Sequence, residues 1–154
     1  MHTPIGDITI FEEDGAIVAL DWGWAGSDGS AGASNGSPLL HRARDQLDAY
    51  FDGALTRFDL PLAPNGTEYR RRVWRALCDI PFGETRSYLD IARAAGGSAR
   101  SVGQANGSNP IPIIIPCHRV VATTHLGGYS GAGGLDTKRW LLAHERSRGQ
   151  QPLF

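Results

Sequence analysis

Cysteine is scarce in this chain: 154 residues carry two, Cys78 and Cys117. Two thiols make no disulfide framework, and no CxxC or Cys/His pair has the spacing of a zinc site, so no metal is expected. Such cysteine usage fits a reducing, intracellular setting. No apolar run approaches the ~20 residues that cross a bilayer, so no membrane-spanning helix and no membrane partner are expected. Met1 to Ile10 lacks the basic region and long apolar stretch of a secretory signal, so a bacterial cytoplasmic location is expected. Basic residues are also scarce at the start. Through Ala63 there are three against ten acidic residues, a net of −7, whereas the remainder has twelve against six, a net of +6. A basic part joined to an acidic one points to a polyanion partner for the C-terminal part; ordinary charge scatter is the alternative. The length allows one medium domain, or a small one fused to a larger one, with a core that needs no disulfide staples.

Periodicity divides the chain in the same place as charge. Ile5 to Ile10 and Ala16 to Trp22 alternate like strands around an acidic turn at Glu13-Asp14-Gly15. Gly23 to Pro38, rich in Gly, Ser and Ala, reads as a mobile loop. Leu40, Ala43, Leu47 and Tyr50 have helical spacing, and Gly53 can stop that helix. Phe58 to Leu62 is expected as a further short strand. Pro61, Pro64, Asn65 and Gly66 mark a boundary. The first part, 1–63, is a small α+β domain without visible chemistry.

In the second part, 64–154, Thr67 is a plausible N-cap, and Tyr69, Val73, Leu77 and Ile80 fall on one helical stripe with Trp74 beside it. Arg70, Arg71, Arg72 and Arg75 occupy much of the remaining surface. Cys78 lies in this helical pattern and reads as structural. Ser87 and Ser98 cap two further helices joined by Gly96-Gly97, the pattern of a helix-turn-helix. The last of these, from Ala99 to about Asn106, is built of small residues with Arg100 near its start. Such a helix can approach a duplex groove or pack closely on another helix, and spacing alone leaves both open.

The chemistry concentrates at Ile113-Ile114-Ile115-Pro116-Cys117-His118-Arg119. The isoleucines read as a buried strand ended by Pro116, with Cys117 at the strand end beside a cavity. A thiol reacts as thiolate, and neighbouring positive charge promotes its ionisation. His118 and Arg119 are candidates to supply that charge or to relay the proton. The alternative is a cysteine packed as a small hydrophobe.

Gly83-Glu84-Thr85-Arg86-Ser87-Tyr88, Arg100 with Val102-Gly103, Asn109-Pro110, Pro112 and Pro116-Cys117-His118-Arg119-Val120 together resemble the O6-alkylguanine-DNA alkyltransferases. Gly128-Tyr129-Ser130-Gly131 and Lys138 with Trp140-Leu141-Leu142-Ala143-His144-Glu145 extend the match in order. Thr3-Pro4-Ile5-Gly6 and Phe58 to Leu62 are similar to the family's N-terminal domain. The resemblance implies an α+β fold: a ribonuclease H-like N-terminal domain, then a mostly helical C-terminal domain for DNA binding and alkyl transfer, with a winged-helix-like helix-turn-helix motif.

It also implies direct-reversal DNA repair by a suicide enzyme. The alkyl group of O6-alkylguanine, or of O4-alkylthymine, passes irreversibly to Cys117, one event per molecule and without cofactor. Double-stranded DNA carrying the lesion is the partner, bound by a monomer. On this resemblance the catalytic set is Cys117, His118 as its base through a water, Glu145 holding His118, Tyr88 donating to the guanine, and Asn109 holding the helix–strand junction by side-chain bonds to backbone. Substrate contacts fall to Val120, whose carbonyl with that of Cys117 accepts from the exocyclic amine. They also fall to the Ser130 backbone N–H near O6, to Tyr129 and Gly131 as pocket wall, and to Lys138 at the edge. Ala99, Arg100, Ser101, Gly103, Gln104 and Asn106 face the minor groove, with Arg100 filling the space of the flipped nucleotide.

The chain departs from the pattern at Gly107, where some members carry arginine, so that phosphate contacts are expected either to be weaker or to come from Arg70 to Arg75. No N-terminal Cys/His cluster matches the zinc site of some eukaryotic members. The glycine-rich lip Ser130 to Gly134 leaves room for larger alkyl groups. A cysteine hydrolase that turns over, a lesion sensor without chemistry and a plain helix-turn-helix regulator are the competing readings.

Overall fold

Asp14 and Gly15 both have positive φ, 51° and 80°, and this two-residue turn sets the first sheet. Mirror-image turns of that kind match the twist of the strands they join, and glycine enters the left-handed region without steric cost. In the computed structural model, which describes residues 1–23, 37–129, 131 and 133–149, strands β1 (His2–Thr3), β2 (Gly6–Glu13) and β3 (Ala16–Trp22) form an antiparallel sheet in that order. Most of the expected 23–38 loop lies outside the described residues, as does Ser130.

Helix α1 (Pro38–Phe51) starts at Ser37, whose hydroxyl accepts from Leu40 N, with Pro38 in the first turn where its missing N–H costs nothing. Its Ala43, Leu47 and Tyr50 are buried, as are Ile8, Ile17 and Leu20 of the sheet. The segment 58–62 departs from the expected strand. It makes one bridge, Leu62 to Ile17, with Ile17 N donating to Pro61 O (2.8 Å) and Ala63 N to Ile17 O (2.9 Å). Pro61 and Pro64 have no N–H to extend a ladder. This first unit runs Met1–Pro64 and the second Asn65–Phe154.

In the second unit, α2 (Glu68–Cys78) is capped by Thr67 and buries Val73, Trp74 and Leu77. Cys78 is not part of that core: it is exposed at the helix end. Strand β4 (Arg86–Ser87) leads into α3 (Tyr88–Ala95), where Ser87 and Asp90 form a reciprocal capping box. A second capping box, Ser98 with Ser101, opens α4 (Ala99–Gly107). The tight turn between α3 and α4 is clamped from α2: the Tyr69 hydroxyl donates to Gly96 O (2.9 Å) and bonds Ser101 Oγ (2.8 Å). A Cβ on Gly97, at φ +81°, would fall 2.4 Å from that hydroxyl, so the position needs glycine. The Trp74 indole donates to Ala105 O at 2.8 Å and ties α4 to α2.

The isoleucine run is buried but is not a strand. Residues 113 and 114 turn, with Ile114 N donating to Pro112 O (2.9 Å) around Ile113 at φ +73°. That is the geometry of a strained γ-turn, an uncommon place for a β-branched residue. Pro116, at φ −81° and ψ 66°, centres an inverse γ-turn in which Cys117 N donates to Ile115 O (2.8 Å). Three prolines in seven residues remove the donors a ladder needs, and burial satisfies the isoleucines without one. A 3₁₀ turn (Cys117–Arg119) follows, then β5 (Val120–Val121) and α5 (Leu135–Gly149). No described helix is long and apolar enough to cross a membrane.

Candidate active site

Strand β5 pairs in parallel with β4, Arg86 opposite Val120 and Ser87 opposite Val121. This two-residue ladder joins segments over thirty positions apart and brings Tyr88, the first residue of α3, to Cys117. Both line a cavity of about 290 Å³, together with Gly103, Asn106, Gly128 and Tyr129. Gly128 N donates to the Tyr88 hydroxyl at 3.2 Å. Gly127 lies against the same ring: at φ +78°, a Cβ there would sit 2.5 Å from the Tyr88 oxygen.

Cys117 is 4% exposed. Burial pushes its thiol up to about 11, opposed by the Asn109 side chain and the Lys138 charge. The resting group is therefore a neutral thiol, not the ready-made thiolate that flanking charges imply, and its proton must leave as it reacts. Asn109 holds the turn before it, donating from Nδ2 to Ile115 O (2.8 Å) and accepting from Ile111 N at Oδ1 (2.9 Å).

Behind the thiol is a buried ionic cluster. His118 Nε2 and Glu145 Oε2 are 2.6 Å apart. Arg119 donates from Nε to Glu145 Oε1 (2.8 Å), from Nη2 to Oε2 (3.0 Å) and from Nη1 to Ile80 O (2.7 Å). Burial alone would raise the Glu145 carboxyl, but the hydrogen bonds and charges of His118 and Arg119 outweigh it and hold the group ionised, well below the usual carboxylate range. Burial also lowers His118, against the pull of Glu145, so the resting imidazole is neutral. A neutral ring facing a carboxylate through Nε2 carries its proton there. Its Nδ1 is then an acceptor, buried and without a hydrogen-bond partner among the described residues.

Lys138, assigned by resemblance to the site's edge, is instead fully buried. Its Nζ donates to Val120 O (2.7 Å) and Gly128 O (2.9 Å), fastening β5 to the loop over the cavity. Burial brings it down to about 8. Tyr129 lies in the cavity wall, where burial raises its hydroxyl. Gly131 is half-buried.

The expected DNA-facing residues separate on α4. Ala99, Arg100 and Gln104 are exposed. Gly103 is half-buried, its Cβ position 3.9 Å from the Tyr88 ring, and Ser101 spends its hydroxyl on the capping box and Tyr69. Asn106 faces inward: it is 5% exposed and donates from Nδ2 to Cys117 O at 3.2 Å. Two of the arginines expected to meet phosphates have internal partners, Arg71 Nε with Gly66 O (3.0 Å) and Arg72 Nε with Ala95 O (2.7 Å). Arg119 was visible in sequence only as a neighbouring charge. Its grip on Glu145 depends on α5 folding back, and its one sequence signal is a guanidinium in an otherwise apolar run.

Residues 68–147 match the family described as 6-O-methylguanine DNA methyltransferase, DNA binding domain, and residues 1–64 match its ribonuclease-like domain. A methylated-DNA–protein-cysteine methyltransferase of Mycolicibacterium paratuberculosis is 59% identical, covering 99% of this chain and 94% of its own. A constitutive one of Bacillus subtilis is 42% identical over 94% and 92%. The crystal structure of Mycobacterium tuberculosis OGT in complex with DNA superposes with a TM-score of 0.81 at 42% identity, covering 96% of this chain and 91% of that one.

Proposed function

The chain belongs to the 6-O-methylguanine DNA methyltransferase family, and on that premise we propose that it repairs DNA by direct reversal, moving the alkyl group of O6-alkylguanine onto Cys117. The observation that carries the reading is the unpartnered Nδ1 of His118, on a ring fixed by Glu145 and adjoining a thiol that opens on a cavity. An acceptor with its tautomer set by a carboxylate is what a neutral thiol needs from a base.

The S–C bond forms as the C–O6 bond breaks. The thiol proton passes through one water to His118 Nδ1, making an imidazolium that the Glu145 carboxylate stabilises. A hydrogen bond from the Tyr88 hydroxyl offsets the negative charge that develops on the base, and the departing guanine regains its N1 proton from solvent as the imidazolium returns one to solvent. The Ser130 backbone N–H is assigned to O6 by family resemblance. The thioether does not revert, so each molecule acts once.

A base stacked in a duplex cannot reach a thiol at the bottom of a cavity, so the nucleotide is extruded at a cost of about a few kcal/mol. The exposed Arg100 at the start of α4 fills the vacated space, and the exposed Ala99 and Gln104 lie along the minor groove. The protein acts as a monomer on double-stranded DNA in the bacterial cytoplasm, and O4-alkylthymine is a second substrate.

Incubation with a duplex holding one O6-methylguanine, followed by mass analysis, tests the reading. The expected result is one methyl group on the Cys117 peptide and no more than one event per molecule. Turnover beyond one equivalent would favour a cysteine hydrolase using the same groups.

A further inference from the structure

Asn106 carries a polar atom that the mechanism above does not use. Its Oδ1 is buried and has no hydrogen-bond partner among the described residues, and Asn106 is one of the residues that line the cavity beside Cys117. The orientation of the amide is fixed, because Nδ2 must be the end that meets the Cys117 carbonyl at 3.2 Å. The other end is therefore an acceptor, held within one amide's width of that carbonyl. A buried acceptor left unmatched is costly, and native proteins retain few of them.

We infer that Asn106 Oδ1 reads the exocyclic amino group of the alkylated guanine, which makes Asn106 a specificity-determining residue; the inference rests on the repair reading above. An O6-alkylated guanine has lost its N1 proton, so the amino group is the only N–H donor its base can offer a pocket. That group has two hydrogens and needs two acceptors. The carbonyls of Cys117 and Val120 already receive Asn106 Nδ2 and Lys138 Nζ (2.7 Å). The amide oxygen supplies an uncommitted acceptor at the same place. An alkylated thymine has no N–H donor on its base and leaves the oxygen unmatched, so Asn106 favours purine over pyrimidine lesions. The sequence placed this residue on the DNA-facing side of α4; the fold turns it toward the base.

Single-turnover transfer is measured from two duplexes, one with O6-methylguanine and one with O6-methylhypoxanthine, which differs only in lacking the amino group. The wild type prefers the guanine, and Asn106→Leu, nearly isosteric and apolar, shrinks that preference about tenfold, the scale of one buried hydrogen bond. Asn106→Ala gives the same narrowing should the leucine variant fold poorly. Equal slowing on both duplexes, or no preference in the wild type, overturns the assignment while leaving repair intact. Failure of the wild type to methylate Cys117 from either duplex would remove the repair reading, and this inference with it.

Discussion

Arg119 grips Glu145 at two points, Nε to Oε1 at 2.8 Å and Nη2 to Oε2 at 3.0 Å, while both side chains are less than a tenth exposed. The neighbouring His118 shares Oε2. Glu145 is thus a carboxylate kept ionised inside the protein by a permanent cation, and the imidazole it orients rests neutral. Removing one member of such a cluster costs more than the cluster contributes, because the charge left behind stays buried.

Glu145→Gln is expected to slow transfer about a hundredfold, the low end of what general-base catalysis contributes, because His118 loses the carboxylate that orients it. The imidazolium loses its counter-charge and Arg119 is left unpaired, so the thermal midpoint falls too. Single-turnover rates on free O6-methylguanine base isolate the chemical step from DNA binding. A wild-type rate in this variant would dismiss the relay.

Acid should destabilise the protein in two stages. His118 lies below its ordinary 6.5 in the folded chain and Glu145 below its ordinary 4.5. In each case the unfolded chain binds the proton first, so stability present above these values is lost as pH falls past them. Thermal midpoints are expected to drop from pH 7 to 5 and again below 4.5, with the second drop reduced in Glu145→Gln. A flat profile would show that neither group is held as described.

The Cys117 thiol should ionise near 11 rather than at its ordinary 9.0. Thiolate absorbance in a Cys78→Ser background measures this directly. Repair at neutral pH then proceeds from the thiol, with the rate falling only as His118 becomes protonated. Ionisation at or below neutrality would restore the preformed thiolate and make the base unnecessary.

Gly127→Ala places a methyl 2.5 Å from the Tyr88 hydroxyl on a backbone at φ +78°. The strain is expected to cost about 1–3 kcal/mol and to displace Tyr88 from the cavity, slowing transfer. Chemical denaturation and transfer rates should move together; normal values of both would mean that the loop yields freely.

Arg100→Ala should slow repair of duplex DNA far more than reaction with the free base, with little change in stability because the side chain is exposed. Equal losses on both substrates would argue against a role in extruding the nucleotide.

Much of the second unit was legible because its signals are local. Thr67, Ser87 and Ser98 each cap the helix that periodicity places after them, since a cap and a stripe lie within a few bonds of the backbone they govern. The isoleucine run misled for the same reason. Apolar character reports burial, and a buried turn stitched by prolines has the same composition as a buried strand.

Cys117-His118-Arg119 declared its chemistry in one dimension, as a nucleophile with basic neighbours in an apolar setting. Only the folded chain decided the division of labour. Helix α5 returns to place Glu145 between His118 and Arg119, and β4 pairs with β5 to bring up Tyr88. Burial reverses the expected ionisation of the thiol, and one turn of α4 swings Asn106 from an outer surface to the cavity wall. Residue types and caps act over a few ångströms along the chain and can be read there. Charge state, tautomer and the direction in which an amide points depend on what lies across space, and no spacing along the chain encodes that.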